Sequence, residues 1–162
     1  MIAIDPPFAG TPPRRSIVAQ IRENAAAHPD RLALVCEATR LTWAAFDAGI
    51  NRVANLLLSQ GMAKGDRIAI LAPNSADYAL LFMGILRAGG CVTPLSPMAA
   101  PEALQKMLAD CAARMIFVGA AYRDLADPAC AGLAITRYAM DFDVPGYLSM
   151  SAALALAAST DP

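Results

Sequence analysis

The sequence predicts an α/β fold: a mostly parallel sheet flanked by helices. Three observations carry that reading. Between residues 43 and 118, helical and strand-like stretches alternate three times, the order that builds parallel strands joined by helical crossovers. The helical stretches place apolar residues three and four apart, whereas the strand-like ones are short unbroken apolar runs of the kind buried on both faces. A turn-forming or helix-capping residue stands at nearly every junction. At 162 residues the chain is long enough to bury one core, and we divide it into an extended Pro-rich arm, 1–15, and a single α/β domain, 16–162.

In the arm, Pro6, Pro7, Pro12 and Pro13 forbid helix and remove backbone donors. Ser16 is placed to cap a helix reaching His28, with Ile17, Val18, Ile21 and Ala25 on one stripe. Leu32–Cys36 reads as a strand, residues 38–40 as a turn, and Arg40–Thr42 as the returning strand of a hairpin. Thr42 then caps a helix whose apolar face is Phe46, Ile50, Val53, Ala54, Leu57 and Leu58, and Gly61 stands where a helix C-terminal glycine belongs. Lys64-Gly65-Asp66 is a turn: Gly65 can take positive φ, and Asp66 can bond the backbone ahead of it. Arg67–Ala72 is a buried strand. Ser75 caps the next helix, with Tyr78, Leu81, Phe82, Ile85 and Leu86 inward, and Gly89-Gly90 ends it. Cys91–Leu95 is a third buried strand. Pro101 opens a helix through Cys111 with Leu104, Met107 and Leu108 inward, and Arg114–Val118 is the next strand. Beyond Tyr122 the pattern weakens. We read Leu133–Tyr138 as a strand, 140–147 as loop and Ser149–Ala158 as a short final helix.

Composition excludes several functions. The net charge is −1 and no basic stripe exists, so there is no electrostatic footprint for nucleic acid. The start has no apolar signal-peptide core, and the longest apolar stretch near the end, Leu148–Ala158, is shorter than the ~20 residues a membrane span needs. Cys36, Cys91, Cys111 and Cys130 show neither Cys-x-x-Cys pairing nor metal spacing; three lie in or beside apolar runs, where cysteine acts as a small core residue. A reducing, cytoplasmic setting is the simplest account. Hydrophobic residues make up 57% and charged residues 17%, against about 45–50% and 25% in ordinary domains. That excess fits either an alanine-rich packed core or a fragment whose apolar face meets the rest of a larger protein. Under the second reading the fragment is expected to self-associate through that face.

Catalytic chemistry is sparse. His28 is the only histidine and ends a helix without an oriented partner, so a structural or solvent role outweighs a triad. One histidine and scattered cysteines do not supply a metal site. Gly84, Gly89 and Gly90 lie on and after a helix leading into a strand, the wrong polarity for a phosphate loop. No G-x-G-x-x-G or G-x-x-x-x-G-K-[ST] run is present, and Pro73-Asn74-Ser75, without glycine, follows the strand at 67–72. A dinucleotide fold is thereby disfavoured. We name no catalytic, cofactor-binding or metal-ligating residue.

Three segments together resemble the acyl-adenylate-forming (AMP-binding) superfamily. RLTWAAF (40–46) is similar to its Leu-Thr-Tyr-x-Glu-Leu, GDRIAILAPN (65–74) to its Gly-Asp-Arg-Val-Ala and Pro-Asn pattern, and LRAGGCVTPLSP (86–97) to its Leu-Lys-Ala-Gly-x-x-x-x-Pro run. HPDRLALV (28–35) and NRVANLL (51–57) also fit. The resemblance spans about residues 16–125. Trp43, Ala45, Phe46 and Ser96 depart from the pattern without removing a catalytic group. Physically, the matching residues are mostly scaffold: Gly65 and Asp66 build a turn, Gly89 caps a helix, and Pro94 sets where strand pairing stops.

The resemblance implies the N-terminal subdomain of the acyl-CoA synthetase fold. It also implies a parent ligase that uses ATP and Mg2+ to form an acyl-AMP and then coenzyme A to form the thioester. The parent is expected to serve fatty acid metabolism and to bind a carboxylic acid substrate. The family's phosphate loop, similar to Thr-Ser-Gly-Thr-Thr-Gly-x-Pro-Lys, does not occur here, nor do its later Tyr-Gly-x-Thr-Glu element, ribose-binding Asp and C-terminal Lys. We therefore expect an inactive fragment whose partner is the C-terminal remainder of the ligase, with no ligand of its own. Two alternatives stay open: a stand-alone interaction or regulatory module on the same scaffold, or part of a peptide-synthetase adenylation domain.

Overall fold

The computed structural model describes residues 16–162; the arm at 1–15 lies outside the described residues. Helix α1 (Ile17–Ala27) leads into an antiparallel hairpin of β1 (Leu32–Cys36) and β2 (Thr39–Thr42). Helix α2 (Trp43–Ser59), β3 (Arg67–Leu71), α3 (Ala76–Arg87), β4 (Cys91–Pro94), α4 (Pro101–Asp110) and β5 (Met115–Val118) follow in strict alternation. A 3-10 turn (Ala120–Tyr122) precedes α5 (Arg123–Ala129), and β6 (Thr136–Ala139), β7 (Leu148–Ser149) and α6 (Met150–Leu156) complete the described chain.

Strands β3 to β7 form one all-parallel sheet in the order β4-β3-β5-β6-β7. The pleat of the two central strands sorts their side chains to opposite faces. Ile68 and Ile70 of β3 and Met115 and Phe117 of β5 meet Val53, Leu57, Leu81, Ile85 and Met150 from α2, α3 and α6. Ala69, Leu71, Ile116 and Val118 meet Leu104 and Leu108 of α4 and Ala126 and Ala129 of α5 on the other side. Helices therefore cover both faces, and β3 and β5 read as unbroken apolar runs because neither face meets water. Each fully buried aliphatic side chain contributes about 1.5–3 kcal/mol. Phe117 and Tyr138 stack across β5 and β6, centroids 4.7 Å apart. A smaller apolar cluster of Ile21, Phe46 and Ile50 seats α1 and the hairpin against α2 and α3.

The caps follow local chemistry. Thr42, Ser75 and Ser149 each accept the backbone N–H three residues ahead, at 3.3, 3.0 and 3.3 Å. Ser16 occupies the cap position of α1 with its side chain unused. Gly61, Gly65 and Gly89 all have positive φ, at 74°, 85° and 82°, a region glycine enters without steric cost.

Several expectations are corrected. Met107 is 45% exposed, because only Leu104 and Leu108 of α4 reach the sheet. Asp66 bonds the backbone behind it, accepting the Ala63 N–H at 2.8 Å, since the turn curls back on the end of α2. Pro94, by contrast, stands where the sequence puts the end of pairing: it is the last residue of β4, in register with Ile70, and the Leu95 N–H closes the ladder on the Ile70 carbonyl at 2.9 Å. Proline is tolerated there because β4 is an edge strand. Of the cysteines, only Cys130 is buried, and Cys91 is exposed on that same edge. The sequence reading also missed α5, whose seven residues include Pro128, and β7, which is two residues long.

Asp66 ties three elements together. Besides Ala63, it receives Arg114 Nη1 at 2.6 Å, and the same nitrogen donates to the Gly61 carbonyl at 2.9 Å. The Ala63 N–H first, and Arg114 second, hold the Asp66 carboxyl below the usual aspartate range. A lowered folded value means the carboxylate stabilises the fold above the usual aspartate range. That contribution is lost as pH falls through the lowered value. Asp66→Asn is expected to flatten the acid limb of a Tm–pH curve below about pH 4. An identical acid limb in the variant would show that another group titrates.

Candidate functional site

In open parallel α/β sheets the ligand-facing place lies beyond the carboxyl ends of the strands, where the strand order reverses. Here the order reverses between β3 and β5, because the chain runs from β3 outward to β4 and then crosses back. A crevice of about 130 Å³ opens at that point. Its walls are the residues that follow three neighbouring strands: Ala72 and Pro73 after β3, Gly119 after β5, and Met140 and Asp141 after β6, with Ser75 and Asp77 from the start of α3.

The strand ends are held in step by their own ladder bonds. The Gly119 N–H donates to the Leu71 carbonyl at 3.0 Å, and the Met140 N–H to the Val118 carbonyl at 2.9 Å. Gly119 is needed because a Cβ there would lie 2.9 Å from Pro73 Cδ. Asp141 Oδ1 accepts the Ala120 N–H at 2.6 Å, fixing the loop after β6 to the loop after β5. Ser75 Oγ is engaged as the α3 cap. An adjoining groove of about 330 Å³ shares Pro73, Ser75 and Asp77 and extends to Cys36, Glu37 and Thr39 at the hairpin.

The rim is acidic: Glu37, Asp77 and Asp141 line it, and no lysine or arginine does among the described residues. A nucleotide's phosphates would meet like charge and no paired cation, and the space is small for one. Among the described residues no three His, Cys, Asp or Glu side chains cluster to hold a metal. The residues lining the crevice thus do not fit the phosphates of ATP.

The remaining candidates for chemistry fall elsewhere. His28 is exposed at the end of α1, where its backbone N–H reaches the Asn24 carbonyl at 2.8 Å. Burial pushes the Cys130 thiol up, which keeps it protonated and a poor nucleophile. The Tyr147 phenol is raised, first by burial and then by its hydrogen bond to Asp127 Oδ1 at 2.8 Å. That bond, with Arg137 over the Tyr147 ring at 4.8 Å, pins the loop before β7. Gly84 is packed inside α3, and Gly89 and Gly90 turn the chain from α3 into β4. Sequence reasoning singled out Gly65 and Asp66 but not the crevice. Its only trace in the sequence was the set of positions just after each strand.

The described residues thus form a parallel α/β layer clad in helices on both faces, with an acidic crevice at the carboxyl ends of its strands. The chain belongs to the AMP-binding enzyme family, which matches residues 21–146. It is 36% identical over 118 residues to the long-chain-fatty-acid–CoA ligase FadD13 of Mycobacterium tuberculosis, covering 67% of this chain and 23% of that one. It is 34% identical over 106 residues to tyrocidine synthase 3 of Brevibacillus parabrevis, covering 65% of this chain and 2% of that one. Among solved structures, the N-terminal domain of FACL13 from Mycobacterium tuberculosis superposes with a TM-score of 0.81 at 28% identity, over 92% of this chain and 38% of that one. The chain thus corresponds to the N-terminal part of acyl-CoA synthetase structures and spans about a quarter of the ligase it matches.

Proposed function

We propose that this chain is the opening α/β layer of an acid–thiol ligase that activates a carboxylic acid as its acyl-AMP and transfers the acyl group to coenzyme A. The observation that carries the reading is the family match over residues 21–146 together with the likeness to a protein named a fatty-acid–CoA ligase. The chain's own residues supply shape rather than chemistry: a sheet buried on both faces, and an end too acidic for phosphates. ATP and Mg2+ belong, on this reading, to parts of the ligase outside these 162 residues. The arm at 1–15 and the α/β domain at 16–162 are proposed as two segments of that ligase. Four unpaired cysteines support a cytoplasmic setting. No helix among the described residues is long and apolar enough to cross a membrane.

Calorimetric titration of this chain with ATP and Mg2+ is expected to give no binding heat, and micromolar affinity would overturn the scaffold role. Pyrophosphate exchange is expected with neither this chain nor any acid added to it. It should arise when the chain is joined to a following segment that carries a glycine- and hydroxyl-rich loop ending in lysine. The likeness to tyrocidine synthase 3 favours a second reading, an adenylation domain of a peptide synthetase. The acceptor separates the two: coenzyme A for the first, a carrier-domain thiol for the second.

A further inference from the structure

Beyond α6, the side chains of Ala158, Ser159 and Thr160 are exposed. Residues 158–161 cross the face of α2 held mainly by their backbone carbonyls. Asn55 Nδ2 donates to the carbonyls of Ala158 and Thr160, at 2.9 and 2.8 Å. Asn51 Nδ2, one turn earlier on the same helix face, donates to the carbonyl of Ser159 at 2.9 Å. Arg22 of α1 pairs with Asp161 at the far end.

Asn51 is not free to turn. It is 5% exposed, and its Oδ1 accepts Arg87 Nη1 at 2.7 Å. Reversing the amide would set two donors against each other in a buried site. The buried arginine therefore aims the Asn51 N–H outward at Ser159. The grip on three successive carbonyls makes no use of the side chains of Ala158, Ser159 or Thr160.

We propose that Asn51 and Asn55 are positioning residues forming a backbone-reading latch, which sets the path of residues 158–161 across α2 whatever side chains those residues carry. The latch opens separately from the fold, because it borrows nothing from either apolar cluster on the sheet. Two exposed hydrogen bonds from Asn55, one part-buried bond from Asn51 and one surface ion pair hold it, and local openings of such elements fall far below global unfolding. This inference stands whether or not the ligase reading does.

Backbone relaxation by NMR on the whole chain tests it. Asn55→Ala and the isosteric Asn55→Asp remove the donor of two carbonyl bonds. Order parameters at Ser159–Asp161 are expected to fall from about 0.85 to below about 0.6, with Tm unchanged and carboxypeptidase removing the last residues at least tenfold faster. Ser159→Ala and Thr160→Ala should alter neither reading. Rigid order parameters in both Asn55 variants would overturn the latch, as would equal loosening by the Ser159 and Thr160 variants. A fall in Tm that matches the loss of order would show that the segment is simply part of the global fold.

Discussion

Replacing Asp47 by alanine is expected to lower stability by about 3–5 kcal/mol, the cost of leaving a buried charge without its partner. The Arg87 side chain is fully buried, and Asp47 Oδ1 stands 2.8 Å from its Nη2. The remaining acceptors are neutral: Asn51 Oδ1 at 2.7 Å and the carbonyls of Asp47 and Val18 at 3.2 and 3.3 Å. Geometry already leaves Arg87 Nε buried without an acceptor, so the site has no slack to absorb the loss of the carboxylate. The two partners are unequal. Asp47 keeps 20% of its side chain exposed, so Arg87→Met should be milder than Asp47→Ala: the stranded carboxylate can turn to water. The double variant Asp47→Ala/Arg87→Met should recover most of the loss, because both ends of the pair leave together. Denaturant melts of the three variants decide it. Equal losses for the two single variants, or strict additivity in the double, would mean that the pair is not a coupled buried unit.

The second large effect is expected at Gly84, where α2 and α3 touch. A Cβ at Gly84 would sit inside 3.0 Å of both Cγ1 and Cβ of Val53, and 3.2 Å from the Ile50 carbonyl oxygen. Val53 Cβ is fixed to its backbone and cannot swing aside, so Gly84→Ala must push the two helices apart. Overpacking of this kind costs about 1–3 kcal/mol, and we expect the top of that range, offset by about 1 kcal/mol of helix propensity. The same Gly→Ala change at Gly61, where φ is 74° and no atom crowds the site, should cost only the backbone strain, about 1–2 kcal/mol. Trimming Val53 to alanine should rescue Gly84→Ala only in part, because the Val53 Cβ contact survives. Full rescue, or a Gly84→Ala chain as stable as the parent, would place the close approach elsewhere.

Both predictions concern helix junctions, and there the sequence was least legible. Its alternation of helix-spaced apolar stripes with short unbroken apolar runs was enough to order α2, β3, α3, β4, α4 and β5, because each pattern is a local property read along one element. The caps were legible for the same reason: Thr42, Ser75 and Pro101 act within one turn of their own position. Helix α5 and strand β7 left no such mark, being too short to complete a pattern. Arg87 stood in plain view inside LRAGG, yet its neighbours in sequence do not reveal that Asp47, Asn51 and Val18 converge on it from two other helices.

By itself the sequence determined the class: a parallel α/β layer of the AMP-binding family, without the loop that would grip phosphate. Both follow from which residues stand next to one another along the chain. The tertiary structure alone decided the reversal of strand order that opens the acidic crevice, the buried Arg87–Asp47 pair, and the hold of Asn51 and Asn55 on the chain more than a hundred residues later. Those features join segments distant in sequence, and their position depends on how the sheet is crossed and how helices settle against it, which no local pattern encodes.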